Sequence, residues 1–286
     1  MNFHRYPNTY IGELNLLVKD LHSSTKFYTE IIGFQLLHKT DATAVFSADG
    51  ATPLLTLEQN NAAKQRDVRS PGLYHFALLL PERTDLAKAL LHLLQSGYPL
   101  QGASDHWVSE ALYLADPDGN GIEIYADRPA DNWEWENGLV KMTTQRLDAE
   151  NLLAEINGGT WNGLPSDTVI GHIHLQVANL HDAESFYCNG LGFEVVTRYG
   201  ARALFVATGG YHHHIGLNTW NSAGSPPAVK DSLGLKHYTL LFPSRDAIKD
   251  AAVRLKQLNA QVQVERDGSA AAIDPFGIKI IMKVQE

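Results

Sequence analysis

The stretch Asp105–Tyr125, DHWVSEALYLADPDGNGIEIY, decides how this chain folds. Its closing residues, GIEIY, alternate in character, so Ile122 and Ile124 share one face of a strand while Glu123 and Tyr125 share the other. The DPDGNG segment before them is a turn, because Asp and Asn bond their own backbone and glycine accepts positive φ. Two strands joined by a tight turn therefore carry His106, Tyr113 and Glu123. A glutamate on an isolated strand of this kind is most often solvated. The histidine and tyrosine on the same hairpin argue instead for a chemical role.

Outward from this hairpin the chain repeats itself. IGELNLLVKDLHSSTKFYTEIIGF, which begins at Ile11, can be laid on IGHIHLQVANLHDAESFYCNGLGF, which begins at Ile170, almost position for position. GLYHFALLLPERTDLAKALLHLL, from Gly72, likewise matches GLKHYTLLFPSRDAIKDAAVRLKQL, from Gly234. Such self-similarity marks a repeated supersecondary unit. Each copy reads as a strand, then a helix with apolar residues at helical spacing (Phe27, Tyr28, Ile31 and Ile32 in the first; Ile248, Ala252, Leu255 and Leu258 in the fourth), then further strands. The predicted fold is α+β: four βαβββ modules paired into two domains with cup-shaped mixed β-sheets. By chain order the domains are 1–128 and 169–286, joined by a connector at 129–168 whose Trp133 and Trp135 are expected to pack it down, since that much apolar area is costly in water.

Composition narrows the function. The 286 residues suffice for two domains of ordinary size, 44% hydrophobic content reads as globular, and a net charge of −9 leaves no basic stripe for nucleic acid or an anionic membrane. No apolar run is long enough to span a bilayer and no leader peptide is apparent, so a cytoplasmic enzyme acting on small molecules is expected. Cys188 is the only cysteine, which excludes an internal disulfide and a cysteine-based zinc site. It lies in a helical pattern and reads as a core residue rather than a nucleophile.

The spacing from His106 through Leu112, Tyr113, Asp116, Pro117 and Gly119 to Glu123 resembles the extradiol ring-cleavage dioxygenase signature of the vicinal oxygen chelate superfamily. One departure is Ser104, two residues before the histidine, where the family usually has glycine or another small or apolar residue. The resemblance spans nearly the whole chain outside the connector. It implies an Fe(II) enzyme, with Mn(II) as the alternative ion, that cleaves a catechol with O2 to a muconic semialdehyde, and a homo-oligomer is the expected assembly.

Non-haem Fe(II) oxygenases use two histidines and one carboxylate on one face of the ion. Equivalent positions on the first strand of the four copies hold Glu13, His75, His172 and His237, and the last strand holds Glu123 in the second copy but Lys279 in the fourth. The metal ligands expected are therefore His75, Glu123 and His172, with His174 further along its strand as a supporting or core residue. By the same resemblance His106 and Tyr113 are donors to substrate, and His214, in the run GGYHHHIGLNTW, is the acid/base residue, with His213 as its neighbour. In four-unit dioxygenases the signature usually lies in the last unit, whereas here it lies in the second. If the second and third modules share one cup, the three ligands converge; if the first and second pair, Glu13 takes the place of His172. Trp107, Phe76 and Trp220 are candidates to wall the pocket. A glyoxalase-type metal-dependent lyase or isomerase, and a drug-sequestering binding protein of the same fold, are the alternative functions.

Overall fold

The structure is a computed structural model that describes residues 3–285. The first module comprises β1 (Tyr10–Val18), α1 (Leu21–Lys26), β2 (Gln35–Lys39), β3 (Thr43–Ser47) and β4 (Leu55–Gln59). The second comprises β5 (Gly72–Leu80), α2 (Arg83–Ser96), β6 (Gly102–Asp105), β7 (Ser109–Ala115) and β8 (Gly121–Asp127). The connector holds the short strands β9 (Trp135–Glu136), β10 (Leu139–Val140) and β11 (Gln145–Arg146) and the helix α3 (Ala149–Leu153). The third module follows with β12 (Val169–Gln176), α4 (Leu180–Glu184), β13 (Glu194–Tyr199), β14 (Ala203–Ala207) and β15 (Ile215–Asn218). The fourth is β16 (Gly234–Phe242), α5 (Arg245–Gln257), β17 (Gln261–Val264), β18 (Ala270–Ile273) and β19 (Lys279–Val284).

The strands form two large curled sheets, each a half-barrel cup, with few helices. One runs β17-β18-β19-β16-β1-β4-β3-β2 and joins the fourth module to the first. The other runs β11-β6-β7-β8-β5-β12-β15-β14-β13 and joins the second to the third. The seams are the antiparallel pairs β1 with β16 and β5 with β12. The boundaries 1–128 and 169–286 divide the chain in sequence order, and both sheets hydrogen-bond across that division. Of the two arrangements left open by the sequence, the cup containing Glu123 is the one that pairs the second module with the third.

Modules adjacent in sequence are tied in a different way. The helices of the first and third modules begin with capping by Asp20 and Asn179, whose side chains accept backbone N–H bonds from the first turn. Both then widen into π-helical turns, Phe27–Ile32 and Ser185–Gly190, where an uninterrupted α-helix was expected. Each turn buries a tyrosine. Tyr28 donates to Asp116 at 2.9 Å and Tyr187 to Asp274 at 3.0 Å, so the Asp-Pro turn of the following module is pinned to the helix of the preceding one. Burial pushes the Asp116 carboxyl up, and the Asp274 carboxyl up to about 6, against the hydrogen bonds that stabilise the charged forms.

The main apolar core runs through all four modules, from Leu14 and Phe46 through Phe76 and Ile124 to Tyr187 and Met282. In the connector, Trp133 is buried beside Phe3 and Tyr211, with its indole N–H donating to the Arg128 carbonyl. Trp135, expected to be packed down as well, is 41% exposed on the β9–β10 ribbon. Cys188 is a free, half-buried thiol. Among the described residues no helix is long and apolar enough to cross a membrane.

Candidate metal centre and its cavity

The antiparallel seam of the second cup sets His174 of β12 opposite His75 of β5, and His172 opposite Ala77. Parallel to β5 on its other side, β8 sets Glu123 opposite Ala77 as well. A small residue between two functional side chains, on one concave face, leaves room for them to meet. His75 Nε2 lies 3.0 Å and His172 Nε2 3.2 Å from Glu123 Oε2. One ligand atom from each of the three lies within 4.8 Å of the other two, and all three residues are buried.

The electrostatics suit a cation. Burial alone would raise the Glu123 pKa, but the neighbouring His172 and His75 hold the carboxyl well below the usual range, so it is an anion. Burial lowers His172 to about 4, leaving a neutral imidazole whose lone pair is available. His75 Nε2 has no hydrogen-bond partner despite its approach to Glu123, because the two are not aligned for one, and His172 Nδ1 is likewise buried and unpartnered. Polar atoms left in that state are costly unless something else engages them. Ligands bonded to one ion at roughly 2.1 Å stand about 3–4 Å apart, the spacing approached here. Two imidazoles and one carboxylate thus fit a divalent ion of the kind held by non-haem iron enzymes.

The cluster opens into a cavity of about 660 Å³. Tyr113 and His106 form one wall. His106 Nδ1 lies 2.6 Å from the Thr143 carbonyl, which can only accept, so Nδ1 carries the proton. In the neutral ring Nε2 is then an acceptor, and it receives a hydrogen bond from the Tyr113 hydroxyl at 2.7 Å. The Tyr113 oxygen consequently offers lone pairs to the cavity. Burial and the Glu123 charge raise its pKa well above the ordinary tyrosine value, which keeps it a neutral phenol.

His213 also lines the cavity, its ring 4.1 Å from that of His172. His214 does not enter the cavity. Its backbone joins the ladder, donating to Val206 and accepting from Ile173, while its ring turns to the other side against His4, Tyr211 and Phe193. The run of three histidines permits two assignments of a His-His pair, and the structure brings the second member of His212-His213 to the site. Burial, followed by the proximity of His172 and the other rings, holds His213 neutral, with its pKa well below 6.5.

His174 also lines the cavity, its Nε2 3.0 Å from the Asn218 side-chain nitrogen. Of the three aromatic residues expected to shape the pocket, Trp220 does so with Tyr74, Phe205 and Tyr199. Phe76 is buried in the apolar core and Trp107 is 47% exposed at a turn with φ 68°. Among the described residues, the counterpart positions in the other cup carry no such cluster. There Glu13 accepts from Thr56 at 2.7 Å, and Asn15 and Lys236 bond Glu58.

The two curled sheets and the His-His-Glu cluster define the class: the chain belongs to the Glyoxalase/Bleomycin resistance protein/Dioxygenase superfamily, which it matches over residues 10–124 and 169–282. It is 46% identical over 273 residues to catechol-2,3-dioxygenase of Bacillus subtilis strain 168, covering 94% of this chain and 95% of that protein. It is thus a catechol-2,3-dioxygenase-like enzyme. Among solved structures it is similar to a proposed dioxygenase from Bacillus subtilis subsp. subtilis strain 168, with a TM-score of 0.67 at 14% identity, covering 96% of this chain and 84% of that one. Glyoxalase I from Zea mays aligns with a TM-score of 0.60 at 15% identity, covering 96% and 92%. At those identities the structural likenesses show the fold alone.

Proposed function

We propose that this enzyme is an Fe(II)-dependent extradiol dioxygenase that cleaves a catechol with O2 to a muconic semialdehyde, with His75, His172 and Glu123 as the ligands of the ion. The observation that carries the reading is the meeting of these three side chains in a cavity that is also lined by His213 and the Tyr113–His106 pair. The near-full-length similarity to a catechol-2,3-dioxygenase supports the same substrate class.

Bound Fe(II) supplies the one-electron chemistry that O2 needs to react with a closed-shell aromatic ring, and a positive charge that favours a chelating catecholate. His213, held neutral, is the base that takes one catechol proton. Tyr113, its own proton committed to His106, accepts a hydrogen bond from the hydroxyl that remains and so orients the monoanion. Tyr74, Phe205 and Trp220 provide flat apolar walls and keep bulk water from the reacting ring. Arg66 is the only Lys or Arg among the cavity residues, and it is engaged by the carbonyls of Ser70 and Leu73, which favours a catechol without an anionic substituent. A single carboxylate with the Tyr113–His106 pair beside it favours ring cleavage over the more carboxylate-rich chemistry of glyoxalase-type enzymes.

The test is direct. Protein loaded anaerobically with Fe(II) and mixed with catechol in air is expected to generate a yellow product absorbing in the near-visible. Failure to retain iron together with no colour would reject the proposal.

A further inference from the structure

Behind His213 stands a buried chain of hydrogen bonds. The Asp127 carboxylate, at the end of β8, lies 2.8 Å from His212 Nε2, and His212 Nδ1 lies 2.8 Å from His213 Nδ1. Tyr211 adds a bond to the same Asp127 oxygen at 3.3 Å and meets the Tyr125 hydroxyl at 2.6 Å. The His212 ring is fully buried between Tyr211, Trp133 and Tyr125. None of Asp127, His212, Tyr211 or Tyr125 lines the cavity.

Donor and acceptor counting gives this chain a direction. A carboxylate only accepts, so His212 Nε2 carries a proton. In the neutral ring His212 Nδ1 is then a lone pair, and it accepts from His213 Nδ1–H. His213 is thereby left with a lone pair on Nε2, the one ring nitrogen without a partner and the one available to the cavity.

We propose that Asp127 and His212 are positioning residues that act through His213, fixing its ring orientation and the tautomer in which Nε2 is the base. The proposal rests on the dioxygenase reading of the site for its catalytic consequence, but not for the tautomer itself. It explains why the sequence spends a partly buried carboxylate and a fully buried imidazole beside the site without placing either in contact with substrate. An aspartate that orients a histidine and selects its tautomer is a recurring device in enzymes, and loss of the correct tautomer there costs several orders of magnitude in rate.

The tautomer is read by 15N NMR of protein labelled at histidine and loaded with Zn(II), with the His213 signals identified by their loss in His213→Phe. In the wild type His213 is expected to carry its proton on Nδ1. In His212→Phe, whose ring fits the same aromatic surroundings but accepts nothing, the proton is expected to move to Nε2. The kcat of the Fe(II) enzyme should then fall at least ~10-fold with KM and iron content unchanged. His212→Gln, whose carbonyl oxygen can accept from Nδ1–H, is expected to restore both the tautomer and most of kcat. A wild-type His213 protonated on Nε2 would overturn the proposal, and this result stands even if His212→Phe does not fold. So would an unchanged kcat in His212→Phe, or equal losses in the Phe and Gln variants. If the wild type shows Nδ1–H and yet cleaves no catechol, the proposed function fails while the positioning of His213 holds.

Discussion

Replacing His213 and His214 one at a time by phenylalanine separates the two histidines that the sequence alone leaves adjacent. The His213 ring packs tilted against His172 at 4.1 Å and edge-on against Phe205 at 5.0 Å, contacts that a phenylalanine ring reproduces. What His213→Phe removes is the cavity-facing nitrogen. Loss of a general base costs about 10²–10⁴ in rate, or about 3–5 kcal/mol of barrier, so kcat should fall by that factor while iron content stays near wild type. His214 is fully buried, and its Nδ1 accepts one long bond of 3.3 Å from the Thr208 backbone. His214→Phe should therefore cost about 1 kcal/mol of stability, a Tm decrease of roughly 2–4 °C for a chain of this size, and leave kcat within a factor of about two. Both variants are loaded anaerobically with Fe(II), their metal measured by elemental analysis and their turnover by the rate of yellow product formation. Full activity in His213→Phe together with lost activity in His214→Phe would refute the placement of the base.

Glu123→Gln removes the only anionic ligand and should weaken metal retention by more than about 100-fold, measured by iron content after dialysis; retained iron would remove Glu123 from the ligand set. Gly171→Ala tests the packing behind the site, since a Cβ there would stand 1.9 Å from the Tyr125 hydroxyl; overpacking of about 1–3 kcal/mol is expected in urea unfolding. Tyr187→Phe removes the phenol that donates to Asp274. Burial lifts that carboxyl to about 6 in the folded protein against 3.8 when unfolded, so the fold binds its proton more tightly and loses stability as pH rises through that window. The deleted bond is charge-assisted only above the window, so the cost of Tyr187→Phe should rise from about 1 kcal/mol at pH 4 to about 2 kcal/mol at pH 7.5; a cost that falls with pH would contradict the assignment.

Much of this site is legible in the sequence because its candidate ligands lie on regular strands. Period-2 alternation sends His75, Glu123 and His172 to one face each, and the internal repeat shows that they occupy equivalent positions. Which of the three histidines faces the cavity is harder to read, because the run lies just before β15, which begins at Ile215, and period-2 alternation does not carry the parity of a regular strand back through all three side chains. Asp127 escaped notice for a related reason: its partner His212 is 85 residues away, and no local pattern joins the end of one strand to an irregular segment of another module. The grouping of modules was equally hidden. All four first strands read as buried sheet centres, and which pairs form the seams depends on packing between modules. The π-helical turns follow the same rule, because a helical stripe of apolar residues reads alike whether the ladder closes at four residues or five.

The seams join the outer modules to each other and the inner modules to each other, so the order of the chain closes on itself like a ring. A gene cut within the connector would encode two fragments, one bearing His75 and Glu123 and the other His172, each with both of its central strands stripped of one of their two partners. Neither piece alone holds the full set of candidate ligands, and activity should return only when the two are expressed together and dock.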